Sequence, residues 1–225
     1  MKKNNNFYVI PQLQLDKGEL RCRPNGKRAL RDVHFQQGTL DGACGVYSFL
    51  MALGILGVFD PQNITVDSLQ SLSAQDQRFV RELNNHGLYR KGLGGKEIKA
   101  MLESYYKRKI AVDYLKKEKE SFLQDIIDSL DGCAPTILGI INRRRRFAHW
   151  VLAVGYQYGE DNEVSRFLIL DPGVRYPQMT LWNGVLTLSE DGKSCEYATL
   201  DNTKDNAIKV VIEDALAINK QPKKR

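Results

Sequence analysis

A cysteine lies where a glycine-rich loop meets an apolar run, within residues 36–50. After Cys44 the apolar residues recur at helical spacing, which predicts a helix that begins near Gly42 and buries one face. Cys44 would then lie in the first turn, where unpaired N–H groups and the helix dipole stabilise a thiolate. This position predicts a sulfur nucleophile. The alternative is a cysteine that packs in the core as a small apolar side chain.

A nucleophile needs a base, and His149 is the candidate among the three histidines of the chain. It lies near the start of a predicted strand, 147–157, and a second predicted strand, 166–171, ends at Asp171. The polar connection between them predicts antiparallel neighbours, with Asp171 beside His149, where it could orient the imidazole. The alternative role of Asp171 is to start a turn.

The other two histidines are rivals for the role of base. His34 precedes Cys44 by ten residues on a predicted loop, and His86 lies at a predicted helix end. We interpret both as structural or exposed residues. The predicted base is therefore His149.

The loop before the cysteine supplies a candidate donor for an oxyanion hole. Gln37, seven residues before Cys44, could donate its side-chain amide together with the Cys44 N–H, and Gln36 is the alternative donor. Trp150 adjoins the base and could form a wall of the cleft, or it packs in the core. The predicted substrate-binding residues are Gly42, Gly45, Trp150 and Arg146.

These motifs resemble those of the papain-like cysteine peptidases: a glutamine loop with Cys-Gly at a helix start, a distant His-Trp-Val strand, and Leu-Asp-Pro-Gly. The order Cys, His, Asp and the compact length are most similar to the branch that resembles bacteriocin-leader peptidases. The resemblance implies Cys44 as nucleophile, His149 as general base and then acid, and Asp171 as orienting residue. It also implies Gln37 as oxyanion donor, although the family places its glutamine where this chain has Gly38.

The predicted elements indicate an α+β fold in one domain. Helices are predicted at 43–58, 67–72, 74–85, 96–108 and 118–130, and strands dominate after Pro135. We therefore expect a papain-like arrangement, in which a helical N-terminal half carries the nucleophile on a central helix. That helix would pack against an antiparallel β-sheet that carries His149 and Asp171. The predicted domain spans residues 1–218, and a basic, disordered tail follows at 219–225.

Composition excludes several classes of function. The four cysteines are widely separated without a Cys-x-x-Cys pair, which argues against structural zinc and a disulfide framework. Phosphate-binding and dinucleotide-binding glycine motifs are absent, so we expect no cofactor and no metal. The chain has no apolar run of the ~18 residues that a membrane-spanning helix needs. It also lacks a signal-peptide core. We expect a cytoplasmic protein, or one exported without a cleaved signal peptide.

The sequence therefore predicts a cysteine (thiol) peptidase that hydrolyses a peptide or isopeptide bond through an acyl-enzyme. Its expected partner is a protein or peptide substrate, and by family analogy it could be a bacterial toxin or effector. A related amidase, deamidase or acyl transferase acting on a protein or cell-wall substrate stays open. The sequence does not indicate the physiological substrate or the oligomeric state.

A different class of function also stays open. The run Arg143–Arg146 carries part of the net charge of +6 and could hold an acidic or nucleic-acid partner in a non-catalytic binding module. The simpler interpretation is a solvated hairpin tip. Neither nucleic acid nor a membrane is an expected partner.

Overall fold

The computed structural model describes residues 7–24, 28–38, 42–64, 72–85, 92–201 and 207–222. The predicted short helix at 67–72 lies outside these ranges except for Leu72, as do His86 and residues 223–225. Across the described ranges, no helix is both long and apolar enough to cross a membrane.

Eleven strands and four α-helices lie within the described residues. The strands are β1 (Phe7–Val9), β2 (Leu13–Asp16), β3 (Glu19–Cys22), β4 (Arg31–Asp32), β5 (Ile110–Lys116), β6 (Thr136–Asn142), β7 (Phe147–Tyr158), β8 (Val164–Leu170), β9 (Gly184–Leu188), β10 (Cys195–Thr199) and β11 (Ile208–Lys220). The helices are α1 (Cys44–Ile55), α2 (Ala74–Asn85), α3 (Gly95–Tyr106) and α4 (Phe122–Asp131). The four helices and the strands β7 and β8 lie close to their predicted positions.

Six strands close into an antiparallel barrel, in the order β7, β6, β11, β10, β9, β8 and back to β7. Strand β1 pairs with β7, and β5 pairs with β11. The N-terminal region adds a separate three-stranded sheet of β2, β3 and β4. The predicted fold class, an α+β papain-like fold with a helical N-terminal half packed against a sheet, is therefore wrong. The chain is mostly β, with short helices around a closed barrel.

Two long strands allow the ring to close. Strand β11 pairs with β5, β6 and β10, and β7 pairs with β1, β6 and β8. Their registers shift between Ile212 and Asp214 and between Ala153 and Gly155. Such irregularities bend a strand and help a sheet to close. The pattern of β11 fits a strand or a helix, and the strand continues through Lys220, past the predicted domain boundary at 218.

Helix α1 is buried all round, whereas the sequence spacing predicts a single buried face. Eleven of its twelve residues are buried. The reason is composition: nearly every position is small or apolar, so the helix has no polar face to turn toward water. It packs against β6 and β7 on one side and against α3 on another. The first residue of α1, Cys44, is therefore held firmly beside the strand that carries His149.

Candidate active site

Cys44 begins α1 and its sulfur lies against strand β7. The Trp150 backbone N–H donates a hydrogen bond to Cys44 Sγ at 3.4 Å. One turn further along the helix, Ser48 Oγ donates to the Trp150 carbonyl oxygen at 3.1 Å. Two hydrogen bonds thus connect the start of α1 to a single strand residue, which is the neighbour of His149. The sulfur is nearly buried, since Cys44 is only 9% exposed.

His149 and Asp171 lie together, because β7 and β8 are antiparallel neighbours as predicted. Leu152 pairs with Leu170, which sets the start of β7 beside the residue that follows β8. The His149 Nε2 atom lies 2.7 Å from Asp171 Oδ1. Since an ionised carboxylate can only accept, Nε2–H is the donor and Nδ1 is left to interact with the sulfur. The Cys44 sulfur lies close enough to the ring to raise the pKa of His149.

The charge states of this pair follow from its surroundings. Burial lowers the pKa of His149, but the hydrogen bond to Asp171, the neighbouring Cys44 sulfur and the negative charge of both groups outweigh burial and raise it to about 10. Burial alone would raise the pKa of the Asp171 carboxyl. Hydrogen bonds from His149, Tyr197 and the Gly173 N–H outweigh burial and hold that pKa below its ordinary value. At neutral pH the two residues therefore form an imidazolium–carboxylate pair beside the sulfur.

The Asp171 carboxylate is fully buried and has donors on both oxygens. The Gly173 N–H donates to Oδ1 at 2.7 Å, and the Tyr197 hydroxyl donates to Oδ2. Tyr197 lies on β10, which is not adjacent to β8 in the barrel, and its ring also contacts Phe147 with centroids 6.0 Å apart. Sequence reasoning missed Tyr197, because an apolar-looking position in a short strand has no signal that separates it from the core.

The backbone of Asp171 is held by a second buried group. Asn183 Oδ1 accepts from the Asp171 N–H at 2.7 Å, and Asn183 Nδ2 donates to the Asp171 carbonyl at 2.9 Å. His34 Nε2 lies 2.8 Å from the same carbonyl oxygen, and burial lowers the pKa of His34 and so favours its neutral form. His34 is therefore structural, as expected, and its site is the back of the turn that carries Asp171. Sequence reasoning did not identify Asn183.

The structure places Gln37 beside the same turn. Its backbone N–H donates to the Pro172 carbonyl at 2.8 Å. Gln37 is partly buried, whereas its neighbours Gln36 and Gly38 are exposed. Position 37 is thus the one that the fold holds against the turn, and position 36 extends into solvent. Residues 39–41, between this segment and Gly42, lie outside the described part of the chain.

Trp150 is wedged between two glycines. A Cβ on Gly45 would lie 3.2 Å from Trp150 Cδ1, and a Cβ on Gly139 would lie 2.8 Å from Trp150 Cζ3. The indole Nε1–H donates to the Leu93 carbonyl at 2.8 Å. Gly45 is buried, so here its missing side chain serves packing. Gly42 is exposed, and a Cβ on Gly92 would lie 3.6 Å from its carbonyl oxygen.

Arg146 lies outside the cluster formed by Cys44, His149 and Asp171. It is exposed in the turn between β6 and β7, three residues before His149, with a positive φ of 51°. Its N–H donates to the Arg143 carbonyl at 3.4 Å, which closes the turn. Within the described ranges, no group of three or more His, Cys, Asp or Glu side chains could hold a metal ion.

The comparisons with known proteins show little similarity to this chain. No family model matches it, and no curated protein matches its sequence. Among solved structures, UfSP from C. elegans aligns with a TM-score of 0.46 at 12% sequence identity over 99% of this chain. The chain spans 35% of the length of that protein. UfSP is a distant structural neighbour, and the likeness is too weak to carry a functional argument.

Proposed function

We propose that this chain is a cysteine hydrolase, and more narrowly a thiol peptidase that cleaves a peptide or isopeptide bond in a protein or peptide substrate. The observation that supports the proposal best is the position of His149. One ring nitrogen lies 2.7 Å from Asp171 Oδ1, and the N–H of the next residue on the same strand, Trp150, donates to Cys44 Sγ at 3.4 Å. A nucleophile, a base and a group that orients the base thus lie side by side.

In the proposed reaction, the Cys44 sulfur attacks the substrate carbonyl carbon as a thiolate, and a tetrahedral oxyanion forms. The Cys44 N–H and the Gln37 side-chain amide donate to that oxyanion. His149 then gives its proton to the leaving amine as the C–N bond breaks, which leaves an acyl-enzyme. Next, His149 takes a proton from water and the resulting hydroxide attacks the thioester carbonyl. The C–S bond then breaks, which releases the carboxylic acid and restores the Cys44 thiolate beside protonated His149.

Helix α1 contributes electrostatics to this step. Its N-cap, Ala43, makes no side-chain capping hydrogen bond, and its first turn contains no acidic residue. The positive end of the helix acts on the sulfur in the first position, and no carboxylate of the first turn neutralises it. Together with the imidazolium of His149, it would stabilise a sulfur anion at Cys44.

The first test is alkylation with iodoacetamide across a pH series, with mass spectrometry to locate each adduct. Cys133 is the internal reference because it is the partly exposed thiol among four free cysteines. Burial raises the pKa of Cys22 to about 11 and that of Cys195 to about 12, so both should label slowly. We expect Cys44 to label faster than Cys133 below pH 7, and His149→Ala to remove that advantage. Equal rates at Cys44 and Cys133 would overturn the proposal.

The second test separates peptidase from related activities. The protein is incubated with a peptide library, and products are identified by mass, which distinguishes cleavage from deamidation and acyl transfer. We expect cleaved peptides from the wild type and none from Cys44→Ala, with both proteins showing the same circular dichroism spectrum. Deamidated products alone would assign the chain to the deamidases. The relationship to bacteriocin-leader-like peptidases and a role as an exported effector stay predictions from the resemblance of the motifs.

A further inference from the structure

A groove of about 610 Å³ lies between the turn that joins β6 to β7 and the first residues of β11. We call it the basic groove. Its cationic lining residues are Lys117, Arg143, Arg144, Arg145 and Lys209. All five are exposed, so their charges are at the surface and reach a passing ligand. Its apolar floor includes Ile141 and Val211.

The basic groove has a strong excess of positive charge. Among its lining residues Glu213 is the acidic one, and this carboxylate is already shared by two of the cations. Lys117 Nζ lies 2.8 Å from Glu213 Oε2, and Arg143 Nη2 lies 3.2 Å from Glu213 Oε1. Among the described residues that line the groove, Arg144 and Arg145 have no carboxylate to balance their charge, and Lys209 has an acidic partner in Asp191, outside the groove. Such a cluster attracts acidic ligands and does so more strongly at low salt.

The basic groove adjoins the candidate active site on two sides. Asn142, at its edge, pairs with Phe147, and the Phe147 ring lies 5.8 Å from the His149 ring. Lys209 pairs with Glu196, the residue before Tyr197, which holds Asp171. Phe147 precedes His149 by two strand positions, or about 7 Å. A peptide that lies across His149 would therefore reach the arginines within roughly two to five residues.

We propose that the basic groove binds an acidic segment of the substrate and thereby selects peptides with Asp or Glu near the cleaved bond. This proposal rests on the proposed hydrolase function. The carboxylates would pair with Arg144, Arg145 and Lys209, while aliphatic side chains between them would contact the apolar floor. A nucleic acid fits less well, because the described lining residues include no aromatic ring for base stacking and Glu213 would repel phosphates.

The test measures how fast Cys44 reacts with peptides that carry an electrophile. Two peptides share the same chloroacetyl group, which loses chloride when sulfur attacks, and differ only in Glu or Gln at positions within five residues of it. A second pair carries a chloromethyl ketone at the other end, so that both chain directions are covered. We expect the acidic member of at least one pair to label Cys44 about fivefold faster or more at low salt, since each exposed ion pair contributes a few-fold.

Matched charge variants locate the effect. Arg144→Gln with Arg145→Gln should abolish the preference for the acidic peptide. Lys107→Gln with Arg108→Gln removes the same charge from exposed residues near the far end of β11, where Gln221 N–H donates to the Lys109 carbonyl. This control should keep the preference. An acidic preference that is absent from the wild type, or that falls equally in both double variants, would overturn the proposal.

Two further readouts separate this proposal from the proposed function. Labelling of Cys44 by iodoacetamide, which carries no charge, should be equally fast in the wild type and in both double variants. If iodoacetamide does not label Cys44 in the wild type, the proposed hydrolase function is overturned, but the proposed binding by the basic groove is not. The acidic peptide can also be made with a fluorescent label in place of the electrophile. Its binding to Cys44→Ala, measured by anisotropy, tests the basic groove without any reaction at the sulfur. Tighter binding of a single-stranded oligonucleotide than of the acidic peptide, lost in the Arg144 and Arg145 double variant, would reject the peptide and assign the groove to nucleic acid.

Discussion

Tyr197 and His149 donate to different oxygens of the same carboxylate, Oδ2 and Oδ1 of Asp171. A carboxylate that is bound at both oxygens cannot rotate about its Cβ–Cγ bond without breaking one of the two hydrogen bonds. The plane of the carboxylate, and with it the direction of the His149 ring, is therefore set from β10, the strand that carries Tyr197. This makes Tyr197 a positioning residue for the proposed base.

Replacing Tyr197 with phenylalanine should move the pH profile of Cys44 alkylation. The hydrogen bond from Tyr197 lowers the pKa of Asp171, so its loss raises that pKa. Asp171 is then protonated at a higher pH and stops stabilising the His149 imidazolium there, so the acid limb of the alkylation profile shifts to higher pH. Stability should fall by about 1–2 kcal/mol because a buried acceptor loses its donor. Tyr158→Phe is the matched control, since that hydroxyl contacts Tyr156 at 3.4 Å elsewhere. An unshifted profile in Tyr197→Phe would argue against a positioning role.

Asn183→Ala should destabilise the fold more than an ordinary exposed asparagine change. The side chain is fully buried and forms hydrogen bonds with the N–H and C=O of Asp171 and with the Arg175 carbonyl. Losing these leaves buried backbone groups unsatisfied, at a cost of about 2–4 kcal/mol. Urea unfolding measures the change. Asn219→Ala, which removes one exposed hydrogen bond to Asp113, should cost about 0.5 kcal/mol. Equal losses would contradict the prediction.

Gly139→Ala should disturb Trp150. The new methyl group would lie 2.8 Å from the indole ring, and the ring cannot move away without losing its hydrogen bond to the Leu93 carbonyl. We expect a loss of about 1–3 kcal/mol in thermal unfolding, together with altered Cys44 alkylation because the Trp150 N–H contacts the sulfur. Gly45→Ala should cost less, since its methyl group would lie 3.2 Å from the indole ring instead of 2.8 Å, Ile98 can move its own methyl group, and alanine favours a helix. A larger loss at Gly45 would reverse this order.

The raised pKa of His149 predicts how stability depends on pH. A histidine whose pKa is about 10 when folded and near 6.5 when unfolded stabilises the fold fully below pH 6.5. That contribution is lost as the pH rises from 6.5 through 10, and it amounts to a few kcal/mol at most. Urea unfolding of the wild type and His149→Gln should show a difference in stability that shrinks across this interval.

Cys44→Ala provides the control for this pH dependence. Cys44 is one of the groups that raise the pKa of His149, so its removal lowers the folded pKa. The loss of stability on the alkaline side should then be complete at a lower pH than in the wild type. A difference between wild type and His149→Gln that grows from pH 6.5 to 10 would show that the sign is wrong.

The proposed catalytic residues could be predicted because each carries a local signal. Cys44 lies between glycines at a helix start, His149 lies at the start of an apolar strand, and Asp171 precedes a Pro-Gly turn. The antiparallel pairing of β7 with β8 also follows from a short polar connection, and the structure confirms it. Tyr197 and Asn183 could not be predicted, because their partner is distant in sequence and side-chain alternation says nothing about which buried group a residue contacts.

The architecture could not be predicted for a related reason. Periodicity assigns elements to helix or strand, but it does not tell which strands pair, and the barrel depends on β11 pairing with both β6 and β10. The sequence pattern of β11 fits either a helix or a strand, so it did not identify β11 as the strand that lies between β6 and β10. The early strands β2, β3 and β4 are short, so they leave little alternation to read. The helical signals in the first half of the chain therefore dominated the predicted fold.

The closed ring has a consequence for how the protein would fail under stress. His149 lies on one of six strands that each have a neighbour on both sides, Asp171 directly follows another, and Cys44 begins a helix with eleven of its twelve residues buried. This helix cannot move away from the barrel without exposing its apolar surface to water, so the sulfur and its base should separate only when the whole protein unfolds. Loss of Cys44 reactivity and loss of β structure should therefore occur at the same denaturant concentration.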